Sequence, residues 1–185
     1  MKDAIPKSHP IRDAIVDGFN GKLIGQRVYW VASKPADGKA AQHGQPYYGR
    51  PPHIRITDSN DVTAIDKWAS AMFELYNLEG DFNSLGEMAA NGTLSRDEFV
   101  RRCIALEATA LSRTRNFFRK NPLPSDEECF WYNYFVGDGS LVNPDRDVED
   151  VGKSNAGYFK SYFDSIEVWK KKRQQWVVPA GAEDE

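Results

Sequence analysis

Met72-Phe73-Glu74-Leu75-Tyr76-Asn77 occupies the second half of a segment, Asp61 to Glu79, whose apolar residues recur at helical spacing. Each residue advances about 100° around a helix, which puts Ile65, Trp68, Ala69, Met72 and Tyr76 on one stripe. Phe73, Glu74 and Asn77 fall together on a flank beside that stripe, with Glu74 nearly opposite Ile65. Asp58, Ser59 or Asn60 can cap the start of this helix, and Gly80 ends it. A glutamate opposite an apolar stripe is ordinarily solvated, and that is the expectation for Glu74.

Before this helix the chain reads as a short helix from His9 to Gly18, with proline tolerated in its first turn. Two strands follow, Arg27 to Ala32 and His53 to Thr57, both rich in β-branched and aromatic residues. Between them Ser33 to Pro52 is a Pro- and Gly-rich loop of about 20 residues, a length that marks a functional flap or an extended crossing. After the central helix come a short helix, Phe82 to Ala90, closed by Asn91-Gly92, and a long one ending near Lys120. Ser95 with Glu98 makes a capping box for the long helix, and Pro122 and Pro124 stop it. Ser125 with Glu128 repeats that pattern before an aromatic helix, Phe130 to Phe135. Gly137 to Asn155 reads as an acidic loop, and Gly157 to Gln175 as a last helix with Phe159, Tyr162, Phe163, Ile166 and Trp169 on one stripe. The expected architecture is α+β and mostly helical, a small N-terminal antiparallel strand pair packed on a helical bundle. Residues 1–179 form one domain, and 180–185 a disordered acidic tail.

Composition narrows the function classes. The chain has 185 residues, is 41 % hydrophobic and 12 % aromatic, and carries a formal charge of −3. That is too apolar for a disordered chain and too weakly charged for a dedicated nucleic-acid binder. No apolar run approaches the about 20 residues that span a bilayer, and Met1 to Pro6 lacks the apolar core of a secretory signal. With only Cys103 and Cys129 present, a cytoplasmic location is expected, export by a signal-less route being left open.

Phe73, Glu74 and Asn77 stand in the register of a zinc-protease helix, which needs two ligands one turn apart and a glutamate beside the first. Met72 to Asn77, followed by Gly92-Thr93-Leu94-Ser95-Arg96-Asp97-Glu98-Phe99 and Leu106-Glu107-Ala108, resembles bacterial zincin-like metallopeptidase domains over roughly residues 54 to 120. The resemblance implies a zincin-like topology. It also implies a gluzincin arrangement, in which a glutamate on a later helix is the third ligand, and Glu107 matches that position. Phe73 and Asn77 replace the two histidines. Phenylalanine offers zinc no ligand and a neutral amide is a poor one, so neither zinc nor any other cofactor is expected. A hard cation held by oxygens of Glu74, Asn77 and Glu107 is the weak metal alternative.

Glu107 stands out without the resemblance. On the Arg96 to Lys120 helix it lies in the middle of a stripe containing Phe99, Val100, Cys103, Ala110, Leu111, Phe117 and Phe118. An unpaired buried carboxylate costs several kcal/mol, so it must be paired, protonated or turned to a cleft. A pair with an arginine or a tyrosine hydroxyl is the plain reading. A cleft acid facing Glu74 or Asn77 is the functional one.

Other motifs fail on inspection. Asp81 to Gly92 starts like a calcium loop but has Leu85 and Gly92 at ligand positions. The acids Asp145 to Asp150 lack a turn glycine. His9, His43 and His53 share no ligand spacing and read as surface or packing residues. Cys129 lacks a nearby histidine, Cys103 sits on an apolar face, and Gly137-Asp138-Gly139 precedes no βαβ unit. Lys170 to Arg173 suits a helix C-terminus, and Trp131, Tyr132 and Tyr134 read as core. The functional expectation is a metal-free zincin-like binding or regulatory module acting on a protein partner, with Glu74 and Glu107 as candidate catalytic groups and Phe73 and Asn77 as cleft residues. The alternatives are a hydrolase using Glu74 and Glu107 with a non-zinc cation or no metal, and a helical interaction protein unrelated to zincins. Neither nucleic acid nor membrane is an expected partner, and the sequence does not specify an oligomeric state.

Overall fold

The computed structural model describes residues 5–33, 39–45, 51–125, 128–136 and 144–175, with the backbone alone at 33, 144–147, 150 and 167–175. The elements in chain order are α1 (Ile11–Phe19), β1 (Tyr29–Ser33), β2 (Ala41–Gly44), β3 (His53–Thr57), α2 (Ala64–Asn77), α3 (Phe82–Ala90), α4 (Arg96–Lys120), α5 (Phe130–Val136) and α6 (Pro144–Gln175). The chain is α+β and mostly helical, as the periodicity implies. The expected tail at 180–185 and the aromatic-stripe residue Trp169 lie outside the described side chains.

The helix ends follow from local chemistry. Thr63 caps α2 through Asp66 N–H, Asp81 caps α3 through Ser84 N–H, and Ser95 caps α4 through Glu98 N–H. Gly92, at φ 73°, turns the chain out of α3. His9 takes up the first turn of α1, its Nδ1 accepting from Ile11 N–H while Nε2 bonds Pro122 O.

The sheet corrects the expected antiparallel pair. Its order is β1-β3-β2, with β1 parallel to β3 and β2 antiparallel to β3. The long connection is not a hairpin loop: it carries an extra strand, β2, to the far side of β3. Strand patterns encode burial but not direction, and a connection this long permits either. Gly44, opposite His53, is required for the pairing, because a Cβ there would meet the His53 ring at 2.3 Å.

The acidic segment is the second correction. Asp145 to Asp150 is not a loop but the start of α6, whose first residue is Pro144. Proline suits that position, acids suit the positive end of a helix dipole, and Glu149 pairs with Lys153 one turn on at 2.6 Å. Gly152 and Gly157 do not interrupt the helix.

Both strands β2 and β3 pack on α2, which also contacts α1, α4 and α5. Surrounded in this way, α2 buries Ile65, Asp66, Ala69, Ser70, Ala71, Met72, Glu74, Leu75 and Asn77, on nearly its whole circumference. One core cluster centres on Ile11, Ile54, Leu75, Leu111 and Phe118. A second, between α3, α4 and α6, contains Phe99, Cys103 and Phe159. Ile104 packs against both. No helix of the described residues is long and apolar enough to cross a membrane.

Candidate functional site

Glu74 is 9 % exposed, so the expectation of a solvated carboxylate is overturned. Strand β2 explains why: it lies over α2 and places His43 against Glu74. Nδ1 of His43 donates to Glu74 Oε2 at 2.6 Å, and the His43 backbone N–H donates to the same oxygen at 3.3 Å. Asn77, one turn along α2, donates its Nδ2 to Oε2 at 3.5 Å. The ring of His43 lies 5.7 Å from that of Phe82, and Gln45 ties the end of β2 to Gly80 O at 3.1 Å. Reading His43 as a surface or packing residue is therefore corrected: it is the partner of the central glutamate.

Asn77 is 2 % exposed, and its Oδ1 finds no hydrogen-bond partner among the described residues. Turning the carboxamide over would set a carbonyl against the Glu74 carboxylate, so the orphan oxygen is forced by its neighbour. A buried acceptor left unmade costs about 1–3 kcal/mol.

Glu107 is half-buried on α4, and its Oε2 accepts from Asn155 Nδ2 on α6. The partner is thus neither of the two residue types expected, but an amide from a segment read as loop. Burial raises the Glu107 carboxyl above its ordinary range, Asn155 opposes this, and the charge of Glu74 raises it further. Burial alone would lower His43, but the hydrogen bond and charge of Glu74, with the field of Glu107, raise it above its ordinary 6.5. The phenol of Tyr158 is pushed up by desolvation and by Glu107 and Glu74, although the residue keeps 56 % of its surface exposed. Lys39, just before β2, places its Nζ 5.6 Å from the centroid of the Tyr158 ring and adds positive charge facing Glu107 and His43.

The two candidate carboxylates therefore share one electrostatic environment, joined by an imidazole, two amides, a phenol and an ammonium. Phe73 does not join it. Its ring stacks on Phe135 at 4.8 Å and packs into the main core, because a step of about 100° along α2 turns it toward α5 instead.

The zinc that a gluzincin would hold does not fit these residues. Phe73 supplies no ligand, the Asn77 amide nitrogen is already turned to Glu74, and His43 and Asn155 engage the two carboxylates. Among the described residues no group of three or more His, Cys, Asp or Glu side chains could hold a metal ion.

His43, Asn155, Tyr158 and Lys39 were not legible as site residues. His43 sits on a strand of four residues with no alternation to announce it, and Asn155 and Tyr158 lie in a helix whose first half reads as loop. No family model, no curated protein and no solved structure matches the chain.

Proposed function

We propose that the chain is a zincin-like binding or regulatory module that engages a protein partner at the polar cluster of Glu74, Asn77 and Glu107, without peptidase chemistry. The observation that carries this reading is the His43–Glu74 contact at 2.6 Å. A zincin glutamate must face a metal-bound water, whereas here a protein imidazole from the sheet holds that carboxylate. The packing of the sheet on α2 and of α2 on α4, and the retained register of Glu74 and Asn77, support the zincin-like part of the reading. The half-buried Glu107 and the exposed Tyr158 beside it support the binding part, since they leave polar groups of this cluster within a partner's reach. Elemental analysis of protein purified without chelator, followed by zinc titration, tests the proposal. Less than a tenth of an equivalent of zinc is expected; a stoichiometric zinc that disappears in Glu107→Gln, the position of the gluzincin ligand, would overturn it.

One observation favours a second reading, a metal-independent hydrolase. Burial makes Glu107 a weaker acid than an ordinary glutamate, and it shares the field of the Glu74 carboxylate that His43 holds, so a proton donor and a base stand in one cluster. Assays with p-nitrophenyl esters, phosphates and glycosides address it. Turnover lost in both Glu74→Gln and Glu107→Gln supports this reading, and turnover that survives either change removes it.

A further inference from the structure

Away from the Glu74 cluster, an open groove of about 270 Å³ lies between α2 and the C-terminal part of α4. Tyr76 and Phe117 supply aromatic walls, Arg113 and Lys120 supply cations, and Asn116 and Asn121 supply amides. The guanidinium of Arg113 lies over the Tyr76 ring, 4.3 Å from its centroid, and pairs with Glu79. Its planar face is thereby fixed by a ring on one side and a carboxylate at its edge.

The charge balance of this groove is one-sided. From Ala108 to Lys120 the chain carries Arg113, Arg115, Arg119 and Lys120 and no acid. A cation in the last turn of a helix is explained by the dipole, which covers Arg119 and Lys120. That explanation does not reach Arg113, nearly two turns earlier. Glu79 offsets one of the two cations that line the groove; Lys120 has no ion-pair partner among the described residues. The volume lies just under the range of drug-sized pockets, which begins at about 300 Å³. It suits one ring bearing one charged group.

We propose that this groove binds a small anion carried on a single flat ring, an aryl carboxylate or aryl phosphate, with Arg113 and Lys120 gripping the anion and Phe117 flanking the ring. Glu79 is then a built-in competitor, holding Arg113 until the ligand's own anion replaces it.

Calorimetric titration of the full chain with phenyl phosphate, benzoate, inorganic phosphate and neutral benzyl alcohol tests it. Phenyl phosphate and benzoate bind more tightly than inorganic phosphate, and benzyl alcohol does not bind. Lys120→Gln, an exposed site, weakens phenyl phosphate by about tenfold, as expected for the loss of one charge-assisted contact. Glu79→Gln tightens it, because Arg113 is released. The preference for an aryl over an inorganic anion separates a ligand site from a merely basic surface, which has no reason to respond to a ring. A phosphotyrosine tripeptide binding about tenfold more tightly than phenyl phosphate assigns the ligand to a peptide side chain, and equal binding assigns it to a free small molecule. Equal affinity for inorganic and phenyl phosphate, or no effect of Glu79→Gln, overturns the proposal.

Discussion

His43 and Glu74 form a pair with side chains 18 % and 11 % exposed, shielded enough for its charge to matter to stability. Because His43 titrates above 6.5 in the folded chain, its protonated form is the one that folding favours. The sign follows from linkage: this stabilisation is fully present below pH 6.5 and is lost as pH rises through the raised folded value. Glu107, also raised, works in the same direction from its own ordinary value of 4.5 upward, since burial makes its carboxyl harder to ionise in the folded chain than in the unfolded one. In urea denaturation His43→Gln is expected to cost about 1–3 kcal/mol at pH 6, as for a hydrogen bond to a charged group, and less as pH rises through the raised folded value. A cost independent of pH would show that the pair is not charged. The groups facing His43 are Lys39 before β2, Glu74 on α2 and Glu107 on α4, so a Glu107→Gln control separates its share of the profile.

At the scale of elements, α2 is the axis on which the rest is hung. Helix α1 crosses it so closely that a Cβ on Gly18 would meet Leu75 Cδ1 at 2.7 Å, and Leu75 is fully buried, so its side chain must shift within a packed core. Alanine gains about 1 kcal/mol of helix propensity over glycine, while overpacking a filled core costs about 1–3 kcal/mol. Gly18→Ala is therefore expected to lower the melting temperature, by about 2–4 °C for each kcal/mol of net loss in a chain this size. An unchanged or raised melting temperature in calorimetry would show that α1 can slide off Leu75. The other end of α2 holds α5: buried Asp66 accepts from the Tyr132 backbone N–H at 2.8 Å, supplying from outside the cap that α5 needs.

The described residues form two core clusters, and α4 takes part in both. The contact of α4 with α6 is the most extensive between elements. Cys103 lies inside the second cluster, where burial, with the nearby Glu107 charge adding to it, pushes its thiol up to about 12. A thiol so shielded reacts only when α6 leaves α4. Phe159 on α6 fills that cluster, stacked 6.3 Å from Phe82. Phe159→Ala is expected to cost about 3–5 kcal/mol and to accelerate native-state alkylation of Cys103 together with that loss. Alkylation at the wild-type rate in a destabilised variant would mean that the two clusters open independently.

Periodicity, the Ser95–Glu98 cap and glycine stops determined the helical segments from α1 to α5 and the α+β class, because each is a local property of a few consecutive residues, but α2 is capped by Thr63 instead of Asp58, Ser59 or Asn60. Glu107 was legible for the same reason: a charge on an apolar stripe needs an answer wherever it folds. The sequence could not supply the answer. Strand direction, the extra strand β2, and the burial of Glu74 depend on which elements surround α2, and the loop reading of Asp145 to Asp150 failed because Pro144 and Lys153 make acids favourable at a helix start. His43 meets Glu74 across 31 positions and Asn155 meets Glu107 across 48. No local pattern spans such distances, so the site is assembled by packing alone.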